Sequence, residues 1–413
     1  MQNVVVVRNS ETLPGDGVGS RLWRSGMVAK ALFLSENYQV DWVISSFDHY
    51  NKQQREPAKG VGKDAFPDSV LTTIKTPGYR SNISIGRLYD HFVFSIKLGW
   101  HLIKSRKNID VIHCSFPTID SSFVCVLFGL IYKIPVAIDI RDKWPDLLLE
   151  KVSPNRARIL KLLLTPYYLI RYITFRNASV VIGANTDFCD WARNICGRSD
   201  KQNFITIPIG FSEPTIDDVL RKKVDDTFLA EQSEELLTIG FGGTLGSLFD
   251  FLSIKEALLE LDKKGIKYEL RVFGDGDKYK GIKKMFEHNN SVKFYGRVKP
   301  DYLFASLLKC DVLIAPYIDS QNFENHTPNK ISEYLAAGKF TLTSLSGVAG
   351  KMLEDIGVGA IYNNANELAE HIERLSESNM LVTDKAKDLF HSRFEANKVN
   401  SKHLDVIDSL VSD

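Results

Sequence analysis

The sequence predicts an α/β protein made of two units, each with its own parallel sheet, and three observations carry that prediction. Short buried-looking apolar runs alternate with helical patterns in both halves of the chain. At 413 residues the chain is longer than a single core usually reaches. A polar stretch of mixed charge, Glu213 to Glu235, interrupts the alternation and reads as a linker. The boundaries that follow are a first unit over 1–212, a linker over 213–234, a second unit over 235–385, and a helical segment over 386–413 with no strand of its own.

In the first half the expected strands are Asn3 to Val7, Val40 to Ser45, Val70 to Lys75, Val111 to Cys114, Val136 to Ile140, Val180 to Gly183 and Phe204 to Ile207, with helices between most of them. Asp48 to Asp68 is charged and without period, and reads as a long loop. The second series runs Leu236 to Phe241, Tyr268 to Phe273, Val292 to Tyr295, Val312 to Ala315 and Phe340 to Thr343, with helices at about Ser247 to Asp262 and Pro300 to Leu308.

A net charge of +1 argues against a nucleic-acid partner. The charge is uneven all the same: residues 1–208 hold 27 basic and 18 acidic side chains, the remainder 25 and 33. No secretory signal is visible at the start, and a cytoplasmic location is expected. The five cysteines are scattered without metal-ligand spacing and read as buried thiols. Leu88 to Lys107 and Arg156 to Arg176 are apolar and basic together, too interrupted to span a bilayer. They read either as helices lying on an anionic membrane surface or as core helices with basic outer faces.

The stretch Thr327-Pro-Asn-Lys-Ile-Ser-Glu-Tyr-Leu-Ala-Ala-Gly-Lys339 follows a buried strand. Pro328 favours a helix start, Ile331, Tyr334 and Leu335 fall on one helical face, and Gly338 favours a stop. A helix start at the carboxyl end of a parallel strand attracts anions. Lys330 adds a cation there, and Glu333, a turn further in, can accept from sugar hydroxyls. The alternative is a solvated ion pair between the two.

Glycine turns follow three strands: Leu13 to Arg21 with Gly17 and Gly19, Phe241 to Gly246 with Gly243 and Thr244, and Gly274-Asp-Gly276. They imply a ligand in a cleft between the units. A fourth turn carries Arg297. Arg21 and Arg24 are expected one turn into the first helix. Asp142, in Arg141-Asp-Lys-Trp-Pro145, reads either as the partner of Arg141 or Lys143 or as a group facing an acceptor hydroxyl. His113 is the other titratable candidate on that edge.

Together, the glycine loop, the Arg-Asp-x-Trp-Pro segment at 141–145, the Gly-Asp-Gly and Gly-Arg-Val turns and the block at 328–339 resemble family 4 retaining glycosyltransferases of the GT-B fold. The nearest look is to the bacterial branch that builds O-antigen and capsule. The resemblance implies two Rossmann-like domains and a last helix that crosses back onto the first. It implies transfer of a sugar with retention, without metal or cofactor, from a nucleotide-diphosphate donor, a UDP-sugar above all, to a glycan carried on a polyprenyl diphosphate. By position Glu333 would bind the ribose and Lys330 the pyrophosphate, with Asn329 beside it, while Gly17 and Gly19 approach the leaving phosphate. Asn325 stands where the family has the first glutamate of Glu-x7-Glu. The family's Arg and Lys pair after the first strand of the second domain is missing, which leaves Lys330, Arg297 and Arg21 as phosphate cations. Two other readings share this architecture: a non-hydrolysing sugar-nucleotide 2-epimerase, and an inactive nucleotide-sugar-binding partner of another transferase.

Overall fold

The computed structural model describes residues 1–14, 16, 21–55, 70–82, 84–149, 152–228, 236–318, 323–377 and 383–412. Two compact units are present, Met1–Ile209 together with Val399–Asp413, and Gly210–Lys398.

The first unit contains β1 (Gln2–Arg8), β2 (Tyr38–Ser45), a small hairpin of β3 (Phe47–Asp48) and β4 (Gln53–Gln54), β5 (Leu71–Ile74), β6 (Val111–Phe116), β7 (Val136–Ile140), β8 (Val180–Gly183) and β9 (Phe204–Thr206). Its parallel sheet has the order β5-β2-β1-β6-β7-β8-β9. Central strands of such a sheet are covered on both faces, which is why Val4 to Val7 are all apolar. Val5 and Val7 enter a core with Phe94, Leu98 and Ile138. Val4 and Val6 point the other way, to Trp42, Val28 and Ile407.

The C-terminal helix Ala396–Ser412 closes this second face with Ile407, while Val399 and Val406 pack on Ala137 and Ile182. Its Asp408 accepts from the Tyr38 hydroxyl at 2.5 Å. The segment 386–398, grouped with that helix on sequence, belongs instead to the second unit, because Ala386, Leu389 and Phe390 are buried in its core.

The second unit contains β10 (Leu237–Gly242), β11 (Tyr268–Phe273), β12 (Val292–Gly296), β13 (Val312–Ala315), β14 (Phe340–Thr343) and β15 (Gly359–Ile361), all parallel, in the order β12-β11-β10-β13-β14-β15. The expected linker is corrected in part. Residues Asp218–Phe228 form a helix whose Val224 and Phe228 are buried with Phe273 and Ala305. Phe228 also lies 4.1 Å below the Arg271 guanidinium, which pairs with Glu269 at 2.5 Å inside the unit. Two apolar residues at i and i+4 suffice to dock a short helix that is otherwise charged.

The start of the expected loop at 48–68 is the small hairpin, fastened by Arg55 to Asp16 at 2.7 Å; positions 56–69 lie outside the described residues. Among the described residues no helix is long and apolar enough to cross a membrane.

Candidate functional site

In the second unit the carboxyl ends of β10, β11 and β12 are stitched together through their backbones. Gly243 N–H donates to the Phe273 carbonyl at 2.9 Å, Gly274 N–H to Gly296 at 2.7 Å, and Leu245 N–H to Asp275 at 3.1 Å. This contact is what the glycines are for. A Cβ on Gly274 would stand 1.8 Å from the Gly243 carbonyl oxygen, and one on Gly276 2.4 Å from that of Leu245. Gly243 itself has φ +153, and a Cβ there would lie 1.7 Å from Lys330 Nζ.

Lys330 therefore reaches the end of β10 from the helix Asn329–Ala336. Its ammonium donates to the Gly242 carbonyl and lies 4.5 Å from the centre of the Phe241 ring and 5.0 Å from that of Phe249. An aromatic bed of this kind holds a cation without neutralising it. The helix begins at Pro328, which is in the extended region and cannot continue a helix backwards. Asn329 opens the first turn, and its buried Oδ1 accepts no hydrogen bond from the described residues.

Glu333, one turn on, is 8 % exposed, as is Lys330. The Tyr317 phenol beside it is pushed up by burial and further by the Glu333 charge. Tyr334 fastens the helix to the sheet, accepting from Gly242 N–H at 3.2 Å and donating to the Ile314 carbonyl at 3.2 Å. Sequence reasoning placed Tyr334 only on an apolar face; a phenol in an otherwise buried stripe was the available signal.

Asn325 is exposed on the loop ahead of the helix, where Val348 N–H donates to the neighbouring Glu324 carbonyl at 2.8 Å. Thr244 and Arg297 are exposed beside the stitched turns. Thus Gly243, Gly274, Lys330 and Glu333 are brought to one end of the sheet, with Thr244, Gly276 and Arg297 at its rim.

The first unit distributes the remaining candidates differently. Gly17 and Gly19 lie outside the described residues. Arg21 precedes the first helix, Arg24–Leu34, and sits 5.6 Å from the Trp23 ring centre. Arg24 is structural: its Nε donates to both Asp139 oxygens at 3.0 and 2.8 Å, and its Nη1 to the Ile207 carbonyl at 2.9 Å.

Arg141 faces Asp139 and Glu11 at 3.5 and 3.7 Å, and Lys143 pairs with Asp187, so neither takes Asp142 as its principal partner. Asp142 instead lines a cavity of about 450 Å³. His113 is corrected outright. It is fully buried in mid-strand, 3.2 Å from the His403 ring nitrogen of the C-terminal helix. Burial lowers its pKa to about 4 and that of His403 well below the usual value, so both imidazoles are neutral packing groups. Among the described residues no group of three or more His, Cys, Asp or Glu could hold a metal.

An end of a parallel sheet that offers a cation, a helix start and a buried carboxylate one turn apart suits a phosphorylated, hydroxylated ligand. No curated protein matches the chain significantly. Among solved structures, Anabaena Alr3699/HepE in complex with UDP aligns at TM-score 0.65 and 15 % identity over 99 % of this chain and 100 % of that one. A glycosyltransferase from Rickettsia africae aligns at TM-score 0.66 and 15 % identity, covering 100 % and 99 %. WaaG, a glycosyltransferase involved in lipopolysaccharide biosynthesis, aligns at 0.63 and 13 %, covering 98 % and 99 %. The family model described as glycosyl transferases group 1 matches residues 238–378. Residues 238–378 are thus similar to the glycosyl transferases group 1 model, within a chain that shares the GT-B fold of these structures.

Proposed function

We propose that the protein is a metal-independent, retaining glycosyltransferase that takes a sugar from a nucleotide-diphosphate donor, a UDP-sugar first, and delivers it to a lipid-linked glycan acceptor of a bacterial surface polysaccharide. The observation that carries the donor side is Lys330 on the end of β10 with the buried Glu333 one turn further along the same helix. In this reading the Lys330 ammonium and the amides of the helix start stabilise the departing diphosphate, and Glu333 holds the ribose. Asn329, Asn325, Thr244 and Arg297 border the same ligand, and Asp142 in the first unit faces the acceptor hydroxyl.

Release of UDP from UDP-sugars in the presence of acceptor, with the anomer retained, tests the reaction. The residue assignment has its own test. Glu333→Ala is expected to weaken UDP binding about ten- to a hundredfold, as the loss of a hydrogen bond to a charged group worth roughly 1.5–3 kcal/mol requires. Unchanged affinity by calorimetry in a folded variant would remove Glu333 from the ribose.

The membrane side of this reading rests on the surface of the first unit. In the helix Ile85–Ser105, Phe94, Leu98 and Leu102 are buried, yet Ile85, Tyr89, Phe92, Ile96 and Trp100 form a second, outward stripe with exposures of 84, 58, 53, 47 and 62 %. The outer faces thus carry apolar side chains beside exposed cations, among them Lys97, Lys104, Arg156, Arg158 and Lys161. Leu127, Leu130 and Ile131 of Ile119–Tyr132 and Ile159, Leu162 and Leu163 of Pro154–Leu163 are exposed as well.

Segments 85–107, 119–133 and 154–177 carry eleven cations and two carboxylates, Asp90 and Asp120, of which Asp90 is buried. This is the pattern of a surface that lies on anionic lipid, each cation adding on the order of 1 kcal/mol. Salt-sensitive sedimentation with anionic vesicles is expected, and loss of it when Lys104, Arg106, Lys107, Arg156, Arg158 and Lys161 become Glu. Equal sedimentation of that variant at low salt would contradict the charge contribution.

A further inference from the structure

Gly242 closes β10, and both of its backbone polar groups are held by side chains of one helix, Asn329–Ala336. The Tyr334 hydroxyl accepts from the Gly242 N–H at 3.2 Å and donates to the Ile314 carbonyl of β13 at 3.2 Å. The Lys330 ammonium donates to the Gly242 carbonyl. Residues four apart stand one above the other on a helix, so Lys330 and Tyr334 hold the same residue from the same face.

This hold changes the sheet. β10 pairs with β11 over all of Leu237 to Gly242. Among the described residues it pairs with β13 only at Ile239 with Val312 and Gly240 with Leu313, although β10 runs on to Gly242 and β13 to Ala315. Where that ladder stops, the Tyr334 hydroxyl lies between the two strands in place of direct pairing. Tyr334 is fully buried, and burial raises its pKa well above the usual phenol value, so the hydroxyl stays protonated and can donate and accept at once. The strand order reverses here as well, since β11 and β12 lie on one side of β10 and β13 to β15 on the other. Strand ends that part at such a point leave the crevice in which a parallel sheet takes its ligand.

We propose that Tyr334 is a positioning residue for the diphosphate: its hydroxyl holds the ends of β10 and β13 apart and, through Gly242, sets where the Lys330 ammonium meets the phosphates. Its ring is fully buried, so it acts on the ligand through Lys330 and not by contact. The inference rests on the reading that a nucleoside diphosphate lies at Lys330. Without the hydroxyl, the Gly242 N–H and the Ile314 carbonyl lose their shared partner, the two strands can close on each other, and the carbonyl that anchors the ammonium moves with β10.

The test is calorimetry with UDP and with uridine, because the ratio of the two affinities isolates what the diphosphate contributes. In the wild type UDP is expected to bind about a hundredfold tighter than uridine, as charge-assisted hydrogen bonds to the phosphates require. Tyr334→Phe should lower that ratio about tenfold while the affinity for uridine stays within about twofold. Lys330→Met should lower it by at least as much, and the double variant no further than Lys330→Met alone, since the two residues act as one unit.

Equal weakening of UDP and uridine in Tyr334→Phe would mark a general structural role, and losses that multiply in the double variant would mark independent ones. Either result overturns the proposal. If Tyr334→Phe does not fold, replacement of Tyr334 by 4-aminophenylalanine, which keeps the ring and a donor to Ile314 but accepts poorly from Gly242, should show the same fall in the ratio. A wild type that binds UDP no tighter than uridine would refute the diphosphate at Lys330 and this proposal with it. A wild-type preference that Tyr334→Phe retains refutes this proposal alone.

Discussion

Replacing Lys330 by methionine is expected to lower kcat/KM for sugar transfer by ~10²–10³, the usual cost of removing one donor from a developing anion. The methionine keeps most of the stem that packs on Phe241 and Phe249 and removes only the charge that sits on the Gly242 carbonyl. Because the ammonium acts on a charge that grows as the diphosphate departs, kcat should carry more of the loss than the affinity for the intact donor. Unaltered thermal unfolding would show that the turn at Gly242–Gly243 has survived. A variant within threefold of the wild-type kcat/KM would reduce Lys330 to a strap between helix and strand.

The largest effect on stability is expected at Asp139. Its carboxylate is fully buried with Arg24, itself 3 % exposed, and faces Arg141 as well. Burial alone would raise its pKa, but the two guanidiniums outweigh that and hold it well below the usual carboxylate range. Asp139→Ala leaves the buried Arg24 uncompensated and takes from Arg141 one of its two carboxylates, at a cost of ~3–5 kcal/mol. In a unit of this size that is a fall in melting temperature of roughly 6–20 °C. Asp139→Leu with Arg24→Met should recover most of it, since two apolar side chains leave no unpaired charge at that contact. A loss under ~1 kcal/mol in Asp139→Ala would contradict the account.

The same region sets the acid limit. His113 and His403 have folded pKa values lowered by burial, so the unfolded chain binds more protons; their contribution to stability is present above about 6.5 and is lost as pH falls towards about 4. Asp139, also lowered, gives way only at still lower pH. His403→Phe should flatten the first of these limbs in chemical denaturation series.

These sites also show which parts of the molecule local sequence can disclose. The strands were legible because parallel strands buried on both faces, such as Val4 to Val7 and Val312 to Ala315, leave uninterrupted apolar runs. The helix Asn329–Ala336 was legible from Pro328, Gly338 and its apolar stripe, and Lys330 and Glu333 with it.

His113 was misread because its neighbour His403 is 290 residues away, and a histidine in an apolar run looks the same whether it faces a ligand or another histidine. The turns at Gly243, Gly274 and Gly276 were found, but the atoms that demand glycine there are the carbonyls of neighbouring loops, which only the folded unit brings near. Asp218–Phe228 passed for a linker because its burial depends on two residues, Val224 and Phe228, amid charges. The cavity lined by Arg8, Arg87 and Asp142 gathers short segments from six separate parts of the chain, and the Arg-Asp-x-Trp-Pro segment that the sequence singled out supplies one of them.

The chain leaves the first unit at Ile209 and returns to it only at Val399. During synthesis the sheet from β1 to β9 is therefore complete while the helix that covers Val4, Val6 and Ala137 has yet to be made. At roughly 5–20 residues per second the intervening segment takes about 10–40 s to translate. For that interval one face of a seven-stranded sheet has only part of its final cover, supplied by the helix Arg24–Leu34. The second unit suffers no such delay, because Gly210–Lys398 is continuous and can close on itself as it emerges. The unit that is begun first is thus the last to have all of its chain.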